Sequence, residues 1–170
     1  MNIRADPACL LAAGQPWFSA LGDPLDKERR RAAAGWLRGL SMRADLAIRL
    51  VSSWAEAAEV LCTPGDGWWE REEEERRSLE RQVALPFDPL EWMRMNDALH
   101  AAAAAAAGRC GGADASMVKV AAGAGACAAY HAMLARAAGV PAWHPFLQKH
   151  ALFAAGRWPL GIYDDCVALF

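Results

Sequence analysis

Several patterns that would announce a chemistry are missing from this 170-residue chain. No Cys-x-x-Cys pair occurs, and Cys9, Cys62, Cys110, Cys127 and Cys166 are scattered and odd in number. Zinc-ribbon spacing is therefore excluded and a disulfide framework is not expected; the thiols read as small apolar residues, buried, in a reducing cytoplasm. There is no Gly-x-Ser-x-Gly elbow, and serine is confined to Ser19, Ser41, Ser52, Ser53, Ser78 and Ser116, so no hydrolase triad is flagged. Metal sites in helical bundles usually repeat Glu-x-x-His on two helices, whereas this chain offers Asp97-x-x-His100 and an isolated His131, so no metal and no cofactor are expected.

An excess of charge of one sign is missing too. Eighteen Lys and Arg against 20 Asp and Glu leave −2 and a pI near 6.1. Such a balance supplies no field to draw the chain to nucleic acid or an anionic membrane. The one basic cluster, Lys27, Arg29, Arg30, Arg31 and Arg38, is interrupted by acids at Asp26 and Glu28 and reads as a solvated helix face. Long apolar runs are also lacking. The charge-free stretch from Ala101 to Ala107 is too short to span a bilayer, and the first apolar run is broken by Gly14 and Pro16, so neither a membrane span nor a signal core is expected.

What the chain has is alanine, 39 of 170 residues, and alanine has the highest helix propensity. With 55% apolar and 22% charged residues, the length suits one core in one domain, residues 1–170. Asp-Pro steps at Asp6-Pro7, Asp23-Pro24 and Asp88-Pro89 each precede helix formers, Asp capping free N–H groups while Pro takes the first helical position. The pattern predicts helices over about 7–13, 24–39, 42–62, 68–84, 89–108, 115–138 and 145–155. In the third, Leu46, Leu50, Trp54, Ala58 and Leu61 fall on one stripe. The last stretch, 158–170, changes to two short apolar runs around Asp164-Asp165 and predicts a β-hairpin packed on the helices. The expected fold class is mainly all-α, a compact bundle of five to six helices with a short C-terminal hairpin.

Four features invite a functional reading. Val120-Ala121-Ala122-Gly123-Ala124-Gly125-Ala126-Cys127-Ala128 imitates the glycine turn of a dinucleotide fold. Its preceding strand would be very short and no second acidic strand follows, so Gly123 and Gly125 read instead as points where two helices approach closely. The run Glu70 to Arg77 pairs Glu72 with Arg76 and Glu73 with Arg77 at i, i+4, a stable solvated helix. Trp68 and Trp69 at its head point about 100° apart on a helix, so both need not enter one core. The C-terminal stretch gathers Trp143, His144, Lys149, His150, Arg157 and Trp158, followed by Asp164 and Asp165.

With no catalytic constellation, the leading expectation is a non-enzymatic protein-interaction module, such as an adaptor, an accessory subunit or an inhibitor. Its partner face would draw on Trp68, Trp69, Trp143, Trp158, Asp164 and Asp165, since Trp and Arg are enriched at binding hot spots. The alternative is an anionic small-molecule site or enzyme using His144, Lys149, His150 and Arg157. A third is a homodimer through the exposed edge of the C-terminal hairpin. The excess of Arg (15) over Lys (3), with the alanine content, suggests a bacterial coding sequence rich in G and C.

Overall fold

A computed structural model describes residues 15–43, 45–65, 67–85, 88–163 and 166–170. Among these, six helices and three short strands follow in the order α1 (Lys27–Gly39), β1 (Ala47–Leu50), α2 (Trp54–Leu61), α3 (Trp68–Gln82), α4 (Pro89–Arg109), α5 (Ala115–Ala137), α6 (Pro145–Ala154), β2 (Pro159–Tyr163) and β3 (Cys166–Leu169). The fold is mainly α with a small sheet, as the sequence predicts; the helix expected over 7–13 lies outside the described residues.

Caps set most of the boundaries. Asp26, Asp88 and Asp114 begin α1, α4 and α5, their carboxylates accepting from the backbone N–H of Arg29, Leu90 and Met117. Gly156 ends α6 in the left-handed region at φ 83°, with Gly156 N–H bonded to Phe153 O and Arg157 N–H to Leu152 O, the Schellman pattern.

The third expected helix is a correction. Residues 47–50 form strand β1, and helix α2 begins only after Ser53, whose hydroxyl accepts from Glu56 N–H at 3.2 Å. Glu56 reaches back to the N–H of Ser52, one residue before the cap, at 2.9 Å, so Ser53 and Glu56 together fix the start of α2 and break the long stripe in two. β1 runs parallel to β3, pairing Ala47 with Cys166 through Leu50 with Leu169, while β2 and β3 form the antiparallel hairpin. The hairpin is therefore part of a three-stranded sheet of order β1-β3-β2. Its strand β3 is flanked on both sides, and the strand that meets solvent is β1.

The main core joins α4 and α5, packed along their length, to an aromatic cluster of Trp17, Phe18, Trp54, Phe153, Trp158 and Phe170. Alanines bring the two helices together: Ala103, Ala106, Ala121 and Ala128 are buried, and Leu99 rests on the bare α-carbon of Gly125. Gly125 thus makes the close approach expected of it, whereas Gly123 faces open space in mid-helix. By length and composition α5 is apolar enough to cross a membrane, but here it packs against α4 and α6. A second cluster seats Trp36, Leu37, Ile162, Val167 and Leu169 between α1 and the sheet.

At Gly156 an added Cβ would stand 2.6 Å from Ser19 Oγ and 2.8 Å from the Ala20 backbone nitrogen. Gly156→Ala is expected to cost about 2–3 kcal/mol in urea unfolding, from positive φ plus the clash, while Gly123→Ala leaves stability level or raises it by up to ~1 kcal/mol.

Candidate functional site

The polar centre of the molecule lies where α3 crosses α1 and α6. Glu72 is the one buried acid among the described residues, 6% exposed, and its carboxylate accepts three hydrogen bonds. Lys149 Nζ donates to Oε2 at 2.7 Å and to Oε1 at 2.9 Å, and Trp36 Nε1 donates to Oε1 at 2.8 Å. The ammonium also lies 4.6 Å from the ring centre of Trp68 and 5.0 Å from that of Trp36, so two indole faces share the charge with the carboxylate. Helix spacing explains the encounter. Trp68, Glu72, Glu75 and Leu79 fall within a 60° stripe of α3 at 100° per residue, and that stripe faces the body.

One turn further along, Glu75 Oε1 meets His144 Nε2 at 2.8 Å. His144 Nδ1 accepts the Phe146 N–H at the start of α6, so Nε2 carries the ring proton and donates to Glu75. Below them His131 stacks on Phe146, ring centres 4.3 Å apart, with Nδ1 buried and unpaired. Burial holds the His131 imidazole neutral, its pKa pushed down to about 4. At the far end of α3, Tyr130 donates to Glu80 at 2.6 Å, and Glu80 also pairs with Arg76. Burial and that carboxylate push the Tyr130 hydroxyl up to about 12.

The four basic residues expected to share an anion site are dispersed, each already engaged or shielded. Lys149 is neutralised by Glu72 and His144 is held by Glu75. His150 stands edge-on to Trp17 on another side of α6, where burial lowers its pKa to about 4. Arg157 is fully buried and donates from Nη2 to the backbone carbonyls of Asp23 and Pro24, tying the entry of α1 to the end of α6. Its Nε and Nη1 have no partner, and burial together with Arg29 lowers its pKa. The reason for the dispersal is rotational: successive positions of a short helix face different neighbours, and Arg157 follows the chain reversal at Gly156.

The tryptophans divide sharply. Trp158 is 1% exposed, packed between Trp54 and Phe18, so it presents nothing to a partner. Trp68 is half-buried against Trp36 and Lys149. Trp69 and Trp143 are 57% and 68% exposed. Asp164 and Asp165 lie outside the described residues. Among the thiols, Cys62 and Cys127 are exposed and Cys110 and Cys166 partly so, rather than buried; Cys9 lies outside the described residues.

Trp69 heads a shallow hollow of about 460 Å³ along α3, lined by Glu70, Glu73, Glu74, Arg77 and Arg81. Glu73 is committed to Arg76 and Arg77, which hold its carboxyl well down, at about 2. Among the described residues no cluster of three or more His, Cys, Asp or Glu is placed to hold a metal ion. Sequence reasoning missed Glu72 as a buried group, since i, i+4 pairing with Arg76 assigned it to solvent; its signal was the shared stripe with Trp68 and Leu79. In comparisons with known proteins, the chain matches no protein-family model, no curated protein and no solved structure.

The two buried imidazoles fix an acid response. Unfolded, each takes a proton near pH 6.5; folded, neither does until about pH 4, so the unfolded chain binds more protons between these values. Stability is expected to be level above pH 7 and to fall as pH drops from 6.5 toward 4, at about 1.4 kcal/mol per pH unit per histidine. Urea titrations across that range check it, and His131→Phe should halve the slope.

Proposed function

We propose that the protein acts by binding a protein partner, with the outward side of α3 and the α5–α6 loop as its contact surface. One observation carries this reading: Trp69 and Trp143 are more than half exposed, while Trp17, Trp36, Trp54 and Trp158 are buried in the same chain. An indole left in water forgoes about 1.5–3 kcal/mol of burial, and such residues with arginine are the usual anchors of interfaces. Around Trp69, Arg77 and Arg81 on the same helix side supply the polar rim such anchors have. Glu70 and Glu74 stand beside it as exposed carboxylates. The reading places this activity in the cytoplasm of a bacterial cell, supported by the free thiols of Cys62, Cys110 and Cys127 and by the arginine-rich composition.

Native mass spectrometry of the protein purified gently from the cells that make it tests the reading. A complex heavier by a foreign chain is expected, and Trp69→Ala and Trp143→Ala should each weaken it at least about tenfold while changing unfolding free energy by no more than ~0.5 kcal/mol. Trp36→Ala, at 0% exposure, should by contrast cost about 3–5 kcal/mol. Retention of the same complex by the doubly substituted protein would sink the proposal, as would a small bound molecule as the sole adduct.

A further inference from the structure

Helix α3 is held differently from every other described helix. Of its fifteen residues only Trp68 and Leu79 bring apolar side chains to the body; Trp69 points away. It begins at Gly67, left-handed at φ 69° and without a side-chain cap, whereas Asp26, Ser53, Asp88, Asp114 and His144 cap the others. Its remaining ties are polar. Arg71 donates to the carbonyls of Leu40 and Ser41 at 2.9 and 3.1 Å, Glu72 takes Lys149 and Trp36, Glu75 takes His144, and Glu80 takes Tyr130.

Polar ties of this kind trade nearly evenly with water when they open, because each freed donor and acceptor is rehydrated. Apolar contacts do not, and α4 with α5 forms a long apolar interface within the main core. The lifting of α3 therefore surrenders, of its own apolar side chains, the buried Leu79 and the half-buried Trp68, while separation of α4 from α5 surrenders the main core. We infer that α3 is a strap: it lifts off as a unit while α4, α5 and the sheet stay folded. What it uncovers is a seat with Lys149 Nζ and the Trp36 N–H in its floor and Phe146 and Leu134 at one end. In the closed protein the occupant of that seat is an acidic helix, α3 itself, presenting Trp68, Glu72 and Leu79 at i, i+4 and i+11. The strap is a property of this chain alone and stands independently of the partner proposed above.

Native-state hydrogen exchange on the full chain, residue by residue and at rising urea below the unfolding transition, decides it. The α3 amides should exchange roughly 100-fold faster than those of α4 and α5, with rates nearly flat in urea, the mark of a small opening. Lys149→Met leaves Glu72 buried without a counter-charge and should drive α3 open: its protection is expected to fall almost to that of a free peptide, while α4 and α5 keep factors of at least about 10³. Equal protection of α3 and α5 in the wild-type chain, with the same steep urea dependence, would overturn the inference. So would joint loss of protection by α3, α4 and α5 in the variant. The wild-type measurement decides the matter even where Lys149→Met does not fold.

Discussion

The arrangement of this protein turns on one ion pair taken out of water. Glu72 and Lys149, on helices 77 residues apart in sequence, are locked by two hydrogen bonds and boxed by the rings of Trp36 and Trp68. A buried pair adds little net stability relative to well-packed apolar side chains, because desolvation consumes most of the Coulombic gain. Its asymmetry is what matters. Either charge alone in that place is penalised by several kcal/mol, so alternative placements of α3 that part the two are rejected. A helix with so few apolar side chains cannot be positioned by greasy packing. Here charge and hydrogen bonding set its register, and the cation–π contacts make the second helix particular about which indole it meets.

The rest of the molecule divides bulk between two regions. Alanine-rich α4 and α5 approach closely and leave little room between them, with Leu99 seated against Gly125. The large rings are then displaced to the ends and to the sheet, where Trp17, Phe18, Trp54, Phe153, Trp158 and Phe170 fill the angle between the helix pair and the strands. Trp158 and Phe170 exchange backbone hydrogen bonds at 2.7 and 2.9 Å, closing the hairpin inside that aromatic mass. A three-stranded sheet this small would be marginal in water, and it persists because the open end of its hairpin is clamped by the rings of Trp54, Trp158 and Phe170.

Local signals in the sequence were sufficient for most helices, because caps and glycine stops are decided within a few residues. Asp88, Asp114 and Gly156 act where the sequence puts them, whereas α1 starts three residues later than the Asp23-Pro24 step predicts, because Asp26 rather than Asp23 caps it. What was not legible is non-local. β1 is a strand through its parallel pairing with β3, more than a hundred residues away, and four residues of Ala-Ile-Arg-Leu carry no local mark that distinguishes them from the next turn of a helix. The polar centre shows the same limit from the other side. Lys149, His144, His150 and Arg157 are neighbours in sequence and were expected to be neighbours in space, yet the helix turns each toward a different wall. Lys149 and His144 find acids on α3, and Arg157 finds carbonyls at the entry to α1. Clustering of charge in sequence suggested a shared anion-binding surface, whereas His144, Lys149 and Arg157 are buried and each is engaged by a different part of the fold.

The same geometry accounts for which indole remains outside. Trp68 and Trp69 are adjacent, chemically alike and about 100° apart on α3. Rolling the helix by that angle would bury Trp69 in place of Trp68 with a similar hydrophobic return. It would also swing Glu72 and Glu75 off the body, leaving Lys149 and His144 buried without acceptors and stripping the carboxylate from Trp36 Nε1. The cost of those orphaned groups, one of them a full charge, exceeds anything gained by choosing the other ring. The exposure of Trp69 is thus a consequence of the Glu72–Lys149 pair rather than a failure of packing. An indole that the fold actively keeps in water is a surface the protein presents reproducibly, in one orientation, to whatever meets it.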